Sequence, residues 1–304
     1  WCDYPLFPEV FRKAGYNVTF ITNEFLPQAK EAVYDFSGGF FLNNPELSKL
    51  QFDHRNTQLH DLDDGLLKDY DDSLKTFQKE HNLTIFHLMG QHVNYKLRYR
   101  KEQAKFWASS YEEKRPELTT AQRKMLSHYD NATLYNDSIV TQIVKRFQKE
   151  NAIVIYVPDH GEECYEEDRG FICRNHAANI DWPLAHYEFE IPFWIYCSPK
   201  YIKTHRDIYR QIRAAKDKRF MTDALPHLLL YLAGIETPTY KEEYNILSPK
   251  YNEMRPRILK NSADYDQLRD EHLKKMKEQK KQEEGQQQKK KSNKKQKKIQ
   301  KERR

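Results

Sequence analysis

Aspartate and histidine side chains follow a predicted strand in the middle of the chain. Asp159 and His160 come directly after the apolar, β-branched run at residues 153–157, and Pro158 and Gly161 flank them. This pattern predicts a buried strand that ends in a tight loop, and ligands bind at such strand ends in open α/β sheets. A carboxylate oxygen and a neutral imidazole nitrogen are good ligands for zinc or another divalent metal. An ordinary turn explains the same residues equally well.

Two further histidines occupy comparable places. His92 follows the predicted strand at residues 83–88 and stands just beyond Gly90, and His176 lies in the segment after the Asp-His pair. His87 alternates with apolar residues on its strand and is interpreted as a structural histidine. Together these positions favour metal-assisted transfer at phosphorus or sulfur. A metal ion would activate a nucleophile, and histidines would bind phosphate oxygens or protonate the leaving group.

Strands alternating with helices must position these residues. Periodicity and stop signals predict helices at 7–14, 61–80, 119–150 and 220–233, and strands at 16–23, 83–88, 153–157 and 190–197. This order predicts an α/β fold with a mostly parallel central sheet and helices on both faces. Asp130, Asn131 and Asp137 interrupt the apolar stripe of the 119–150 helix, which suggests that they serve buried backbone or site groups.

The net charge of +6 is unevenly distributed over the 304 residues. Residues 271–304 hold 15 basic and 5 acidic side chains, so they carry +10 and leave −4 for residues 1–270. We therefore predict one folded domain at 1–270 and a disordered Lys/Gln-rich tail at 271–304. A solvated tail is the favoured interpretation, contact with anionic lipid is the alternative, and nucleic acid is not favoured.

Membrane and redox signals are weak. The sequence has no run of about 18 apolar residues, so no membrane span is predicted within it. It begins at Trp1 without Met, as in a fragment or a mature form. Cys164 and Cys173 bracket a charged segment, and a disulfide between them would suit an oxidising compartment. Free thiols in a reducing compartment remain the alternative.

Several motifs resemble, in order, the catalytic domain of the phosphoethanolamine transferases, within the sulfatase/alkaline phosphatase superfamily. The resemblance covers roughly residues 5–265 and implies that the predicted domain at 1–270 is the C-terminal portion of a sulfatase-like catalytic domain. The matching segments are Phe11-Arg-Lys-Ala-Gly-Tyr16 through Asn23, His87-Leu-Met-Gly-Gln-His92 with Tyr95 and Arg98-Tyr99, Tyr129-Asp-Asn131 with Tyr135 and Asp137, Asp159-His-Gly-Glu162, Glu190-Ile-Pro-Phe193, and Thr222-Asp223 through Gly234.

The resemblance implies roles for individual residues. Asp159 and His160 match two zinc ligands, and His92 and His176 match histidines that contact the transferred phosphoryl group or a second metal. Arg98 is implied in substrate binding. The sequence departs from the family pattern at three positions, where Gln91 replaces Ser, Arg100 replaces Pro and Ala177 replaces Gly.

The threonine nucleophile of the family has no counterpart in the chain. Thr19 and Thr22 lie in a predicted strand and are interpreted as ordinary strand residues. We therefore expect the chain to be the C-terminal part of a larger enzyme, inactive alone and a weak metal binder, since a catalytic zinc site has three protein ligands.

The function implied by the resemblance is metal-dependent transfer of phosphoethanolamine through a covalent Thr intermediate. The donor would be a phospholipid and the acceptor an envelope glycolipid, either lipid A or lipopolysaccharide core. The whole enzyme would sit in a bacterial inner membrane through N-terminal helices, with its catalytic domain in the periplasm and the present sequence soluble. Two alternatives stay open. One is a sulfatase or phosphodiesterase of the same superfamily, and the other is a non-catalytic binding protein with a degenerate site, in which the basic tail is the functional part.

Overall fold

The computed structural model describes residues 6–24, 45–175 and 179–302, which form two compact units. The first unit comprises Trp1–Tyr156 and Trp194–Glu253, and the second comprises Val157–Phe193 and Met254–Arg304. In chain order the helices and strands are α1 Phe7–Lys13, β1 Asn17–Thr22, α2 Pro45–Gln51, β2 His54–Arg55, α3 Asp64–Asp72, β3 Asn82–His87, α4 Thr120–Phe147, β4 Ile153–Tyr156, β5 Glu163–Cys164, β6 Ile172–Cys173, α5 Trp182–Phe189, β7 Trp194–Cys197, α6 Pro199–Thr204, α7 Arg206–Ala214, α8 Leu225–Leu232, β8 Ile258–Leu259, β9 Ala263–Asp264 and α9 Tyr265–Glu302.

A parallel sheet with the strand order β2-β1-β3 lies at the centre of the first unit. Successive side chains of a strand point to opposite faces. Phe20 of β1 accordingly packs in one core cluster with Phe11 of α1 and Leu230 of α8, whereas Ile21 packs in another with Leu66 of α3. The predicted α/β fold, with a parallel sheet and helices on both faces, is confirmed. Strands β4 and β7 form a separate antiparallel pair.

Local signals explain several boundaries. Gly15 follows α1 with φ +90°, a left-handed conformation that glycine adopts without steric cost. Thr119 caps α4 through a reciprocal pair in which its Oγ1 accepts from Gln122 N at 3.3 Å and Gln122 Oε1 accepts from Thr119 N at 2.9 Å. Pro226 lies in the first turn of α8, where its missing N–H costs nothing.

Asp53, between α2 and β2, connects the start of the parallel sheet to α1. It accepts hydrogen bonds from Val18 N at 2.8 Å and from Arg12 Nε at 3.0 Å. Burial acts to raise the pKa of Asp53, but these hydrogen bonds and the Arg12 charge outweigh it, so the pKa is lowered overall.

The second unit contains two short antiparallel pairs, β5-β6 and β8-β9, with helices α5 and α9. Its core joins Ala185 of α5 to Leu259 and Tyr265, and Trp182 packs against them. The domain limits predicted from the sequence, 1–270 and 271–304, stay a prediction; in the structure residues 254–304 group with residues 157–193.

The tail is helical where the sequence predicts disorder. Helix α9 runs through Glu302 and covers almost all of residues 271–304. Lys, Glu and Gln are strong helix formers as well as typical of disordered chains, so a helix can form without burying an apolar face. Within the described ranges, no helix has the length and apolar character needed to cross a bilayer.

Candidate functional site

The predicted metal ligands Asp159 and His160 lie together in the loop that follows β4. His160 Nδ1 is 2.7 Å from Gly161 O, and His160 N donates to Asp159 Oδ1 at 3.0 Å. A carbonyl oxygen only accepts, so Nδ1 carries the proton, and in the neutral imidazole Nε2 keeps its lone pair. Metal-binding histidines are commonly held in this way by a hydrogen bond from the other ring nitrogen.

The two candidate donor atoms have a separation that suits one metal ion. His160 Nε2 and Asp159 Oδ2 are 3.5 Å apart, and the Asp159 side chain is 86% exposed. Zinc bonds of 2.0–2.1 Å in tetrahedral geometry place two ligand atoms about 3.3 Å apart. The pair therefore fits two corners of a zinc tetrahedron. Among the residues that the structure describes, no group of three or more His, Cys, Asp or Glu side chains could hold a metal ion.

Gly161 follows the pair because the chain passes very close to backbone there. A Cβ atom at this position would lie 2.3 Å from Tyr187 O and 3.3 Å from Glu190 O. Gly161 N also donates to Glu188 O at 2.8 Å. The glycine thus lets the metal-ligand loop dock on the end of α5.

A buried ion pair that the sequence did not reveal supports the same loop. Glu163, at the start of β5, is fully buried and accepts from Arg169 Nε at 2.6 Å and from Arg169 Nη2 at 3.1 Å. Arg169 Nη1 also donates to Asp181 Oδ2 at 3.0 Å, and Asp181 caps α5 by accepting from Leu184 N at 3.0 Å. This network joins the strand after Gly161 to the helix on which the loop docks.

His92 and Arg98 belong to the first unit. His92 is exposed, and its Nδ1 lies 2.7 Å from Val93 O, so Nε2 is the ring nitrogen left to accept a proton or a hydrogen bond. Arg98 donates to His92 O at 2.9 Å and to Val93 O at 3.0 Å. Arg98 therefore holds the backbone that carries His92, and its role in substrate binding stays a prediction.

A buried carboxylate, also missed from the sequence, fixes the start of the same loop. Asp63 is 5% exposed and accepts from Gly90 N at 2.8 Å, Met89 N at 3.2 Å and Asn23 Nδ2 at 3.0 Å. Burial raises the pKa of Asp63, although the three donors and the charge of Arg98 oppose the shift. Asp63 thereby connects the carboxyl ends of β1 and β3, which carry Asn23 and the Gly90 loop.

Of the three polar interruptions of α4, Asn131 serves buried backbone, one of the two roles expected from the sequence, whereas Asp137 is exposed. Asn131 is 3% exposed, and its Oδ1 accepts from Lys105 N at 2.7 Å and Phe106 N at 3.1 Å. Its Nδ2 donates to Phe106 O at 2.8 Å. Asp130 accepts a hydrogen bond from the Tyr111 hydroxyl. Both residues therefore clamp the 93–111 segment to the long helix.

Thr22, His87 and Glu24 form a chain that superficially resembles a nucleophile, base and acid. Thr22 Oγ1 is 2.9 Å from His87 Nδ1, and His87 Nε2 is 3.5 Å from Glu24 Oε2. Thr22 is 0% exposed, as is Thr19, so neither hydroxyl is accessible to a substrate. These threonines are strand residues, as predicted, and the hydrogen bond to Thr22 agrees with a structural His87.

Two further expectations concern the loop after the metal-ligand pair. His176 lies outside the described residues, so its role stays a prediction. Cys164 and Cys173 lie on the paired strands β5 and β6, where Cys164 faces Ile172 and Cys173 faces Glu163. The two cysteines are thus offset by one register position. Because neighbouring strand positions point to opposite faces, this arrangement does not favour the disulfide considered from the sequence.

Comparison with known proteins agrees with this fold and these motifs. A family profile described as Sulfatase matches residues 3–235. Phosphoethanolamine transferase EptC of Escherichia coli O18:K1:H7 (strain RS218 / NMEC) is 29% identical over 252 residues, which cover 82% of this chain and 41% of that protein. The crystal structure of the C-terminal periplasmic domain of EcEptC from Escherichia coli matches with a TM-score of 0.70 and 27% identity, covering 88% of this chain and 73% of that one. Its complex with Zn matches with a TM-score of 0.69 and 26% identity over the same shares.

The chain belongs to the sulfatase family. Within that family it is similar to phosphoethanolamine transferases over most of its length, which confirms the resemblance found in the sequence. The chain spans about two fifths of the length of the EptC relative that it matches.

Proposed function

We propose that this chain supplies the Asp-His half of a divalent-metal site in an enzyme that transfers phosphoethanolamine. The observation that carries the proposal is the 3.5 Å separation between Asp159 Oδ2 and His160 Nε2, with the imidazole proton held by Gly161 O. Support comes from the similarity to the EptC periplasmic domain, which has been crystallised with Zn.

In this proposal Asp159 and His160 hold the metal, and the chain's other site residues bind and orient the phosphoryl group. When bound, zinc would favour ionisation of the attacking hydroxyl and neutralise charge on the phosphoryl oxygens. His92 would use Nε2 to bind a phosphoryl oxygen or, once protonated, to donate to the leaving group. Arg98 and Asp63 keep the His92 loop in place. His176 would assist in the same role as His92.

The transfer would run in two steps through a threonine. The Thr hydroxyl attacks phosphorus of a phospholipid donor, its proton is lost, and the diacylglycerol oxygen leaves with a proton. The oxygen of an acceptor hydroxyl or phosphate on an envelope glycolipid, lipid A or lipopolysaccharide core, would then bond to phosphorus as the phosphorus–oxygen bond to threonine breaks. A proton from the acceptor hydroxyl, or from solvent where the acceptor is a phosphate, would restore the Thr hydroxyl. No threonine of this chain matches the nucleophile, so we expect the chain alone to be inactive.

The location proposed for the domain is the periplasm, with the whole enzyme anchored in the inner membrane. The relatives' C-terminal domain is periplasmic by its crystal-structure description. The net charge of +10 at residues 271–304 would let the end of α9 contact anionic lipid. Such a contact should weaken steeply with salt, because it would be electrostatic.

Zinc titration of the full chain tests the metal proposal. Asp159→Asn should weaken zinc binding at least tenfold, because the amide has lost the anionic oxygen that bonds the ion. Asp217→Asn is a matched control, since the Asp217 side chain is also 86% exposed but lies far along the sequence in the first unit. Equal zinc affinity for Asp159→Asn and the unsubstituted chain would refute the proposed site. Turnover of a labelled phosphatidylethanolamine donor by the chain alone would refute the expectation of inactivity.

A further inference from the structure

The 93–107 loop exposes large apolar side chains directly after His92. Val93 is 39% exposed, Leu97 is 56% exposed and Trp107 is 59% exposed. The same fifteen residues hold five basic side chains and one acidic one, a net charge of +4 in a body that carries −4 over residues 1–270. The basic residues are Lys96, Arg98, Arg100, Lys101 and Lys105.

Other side chains already fix the conformation of this loop from its inner side. Tyr95 is 3% exposed and packs edge-on against Tyr129 of α4, with ring centroids 5.2 Å apart. Asn131 binds the backbone of Lys105 and Phe106 from the same helix. The exposed Leu97 and Trp107 are therefore carried on an anchored loop.

Two of the basic residues bind groups of the protein itself, and the other three are exposed. Arg98 binds the His92 and Val93 carbonyls, and Arg100 pairs with Asp64. Lys96, Lys101 and Lys105 are exposed alongside the apolar side chains. Tryptophan and leucine interleaved with lysines suit the boundary of an anionic bilayer, where rings sit at headgroup level and ammonium groups meet lipid phosphates.

We propose that the 93–107 loop is a membrane-contact surface that docks on an anionic phospholipid bilayer through Trp107, Leu97 and the three exposed lysines. The loop would bind lipid whether or not the chain carries out phosphoethanolamine transfer. If the proposed function also holds, the contact would present His92 to the headgroup layer in which a phospholipid donor resides.

Tryptophan fluorescence of the full chain with vesicles tests the contact at one residue. The vesicles contain phosphatidylcholine with or without phosphatidylglycerol, and a second set carries brominated acyl chains as quenchers. We expect quenching of the unsubstituted chain on anionic vesicles and loss of most of that quenching in Trp107→Phe. Circular dichroism should give the same thermal unfolding for both proteins, because Trp107 is mostly exposed.

A matched pair of leucines tests the apolar part of the surface. Leu97→Ser should weaken vesicle binding about tenfold, because the variant lacks the free energy that the leucine side chain gains on moving from water into the bilayer interface. Leu59→Ser is the control, since Leu59 is 47% exposed in the same unit but lies outside the loop. Equal binding of both variants would overturn the proposal.

Two other outcomes would also overturn it. Binding to anionic vesicles without quenching of Trp107 would assign lipid contact to the basic end of α9 instead. Self-association that is lost in Trp107→Phe, without vesicle binding, would make the surface an interface between copies of the chain.

Discussion

Replacing Asn131 by alanine should release the 93–107 loop from the long helix α4. Asn131 makes three hydrogen bonds to that loop, to the two amides and one carbonyl of Lys105 and Phe106. A net contribution of about 1 kcal/mol for each bond gives a loss of about 3 kcal/mol. The side chain is 3% exposed, so solvent is not positioned to replace these bonds without rearrangement.

Hydrogen exchange measured by mass spectrometry on peptides that contain Lys105 and Phe106 is the assay. Their amides donate to Asn131 Oδ1, so the lost free energy should appear as local opening at these two residues. A change of about 3 kcal/mol corresponds to roughly a hundredfold faster exchange. Trypsin should also cleave more readily after Lys101 and Lys105.

The control for this experiment lies on the same helix. Gln142 is exposed, so Gln142→Ala should leave exchange at Lys105 and Phe106 unchanged. Unaltered exchange in Asn131→Ala would refute the reasoning, since it would mean that the loop holds its conformation without the asparagine clamp.

Two other perturbations test supporting interactions in each unit. Glu163→Gln should lower the free energy of unfolding by about 3 kcal/mol, because it breaks a buried ion pair and leaves the Arg169 charge partly uncompensated. Thermal unfolding measures this loss. Glu278→Gln, on the exposed surface of α9, is the control and should have little effect. Asp53→Asn should lower stability by about 1 kcal/mol near neutral pH, since Asp53 is partly exposed. The pKa of Asp53 is lowered in the folded protein, with burial opposing the hydrogen bonds and the Arg12 charge. Its stabilisation is therefore present above the unfolded pKa of about 3.9 and lost as pH falls through the folded pKa. The difference in melting temperature between Asp53→Asn and the unsubstituted chain should accordingly shrink below about pH 4, and a pH-independent difference would contradict this assignment.

Much of the fold was predictable because its signals are local. The β-branched run before Asp159 is a strand, Gly15 ends the first helix, and Thr119 caps the long one. The placement of Asp159 and His160 in a loop after a strand also followed from neighbouring residues. Periodicity, turn residues and capping motifs act within a few residues, so the sequence alone contains them.

Composition could not decide the state of the C-terminal segment. The same Lys, Glu and Gln residues that prevent a buried core also favour a helix, and the structure has α9 there. The strand predicted over residues 190–197 begins only at Trp194, because Pro192 has no N–H for the ladder with β4.

The supporting groups of the candidate site were decided only by tertiary structure. Asp63 accepts hydrogen bonds from Asn23 and from the Gly90 loop, and Asn131 binds the backbone of a segment about 25 residues away in sequence. Gly161 is required because the chain passes against the carbonyl of Tyr187. Such contacts join segments that are distant along the chain, and no local pattern encodes their geometry. Local sequence patterns thus predict which residues are candidates to bind metal and phosphate, whereas contacts between distant segments fix the buried groups that hold those candidates in place.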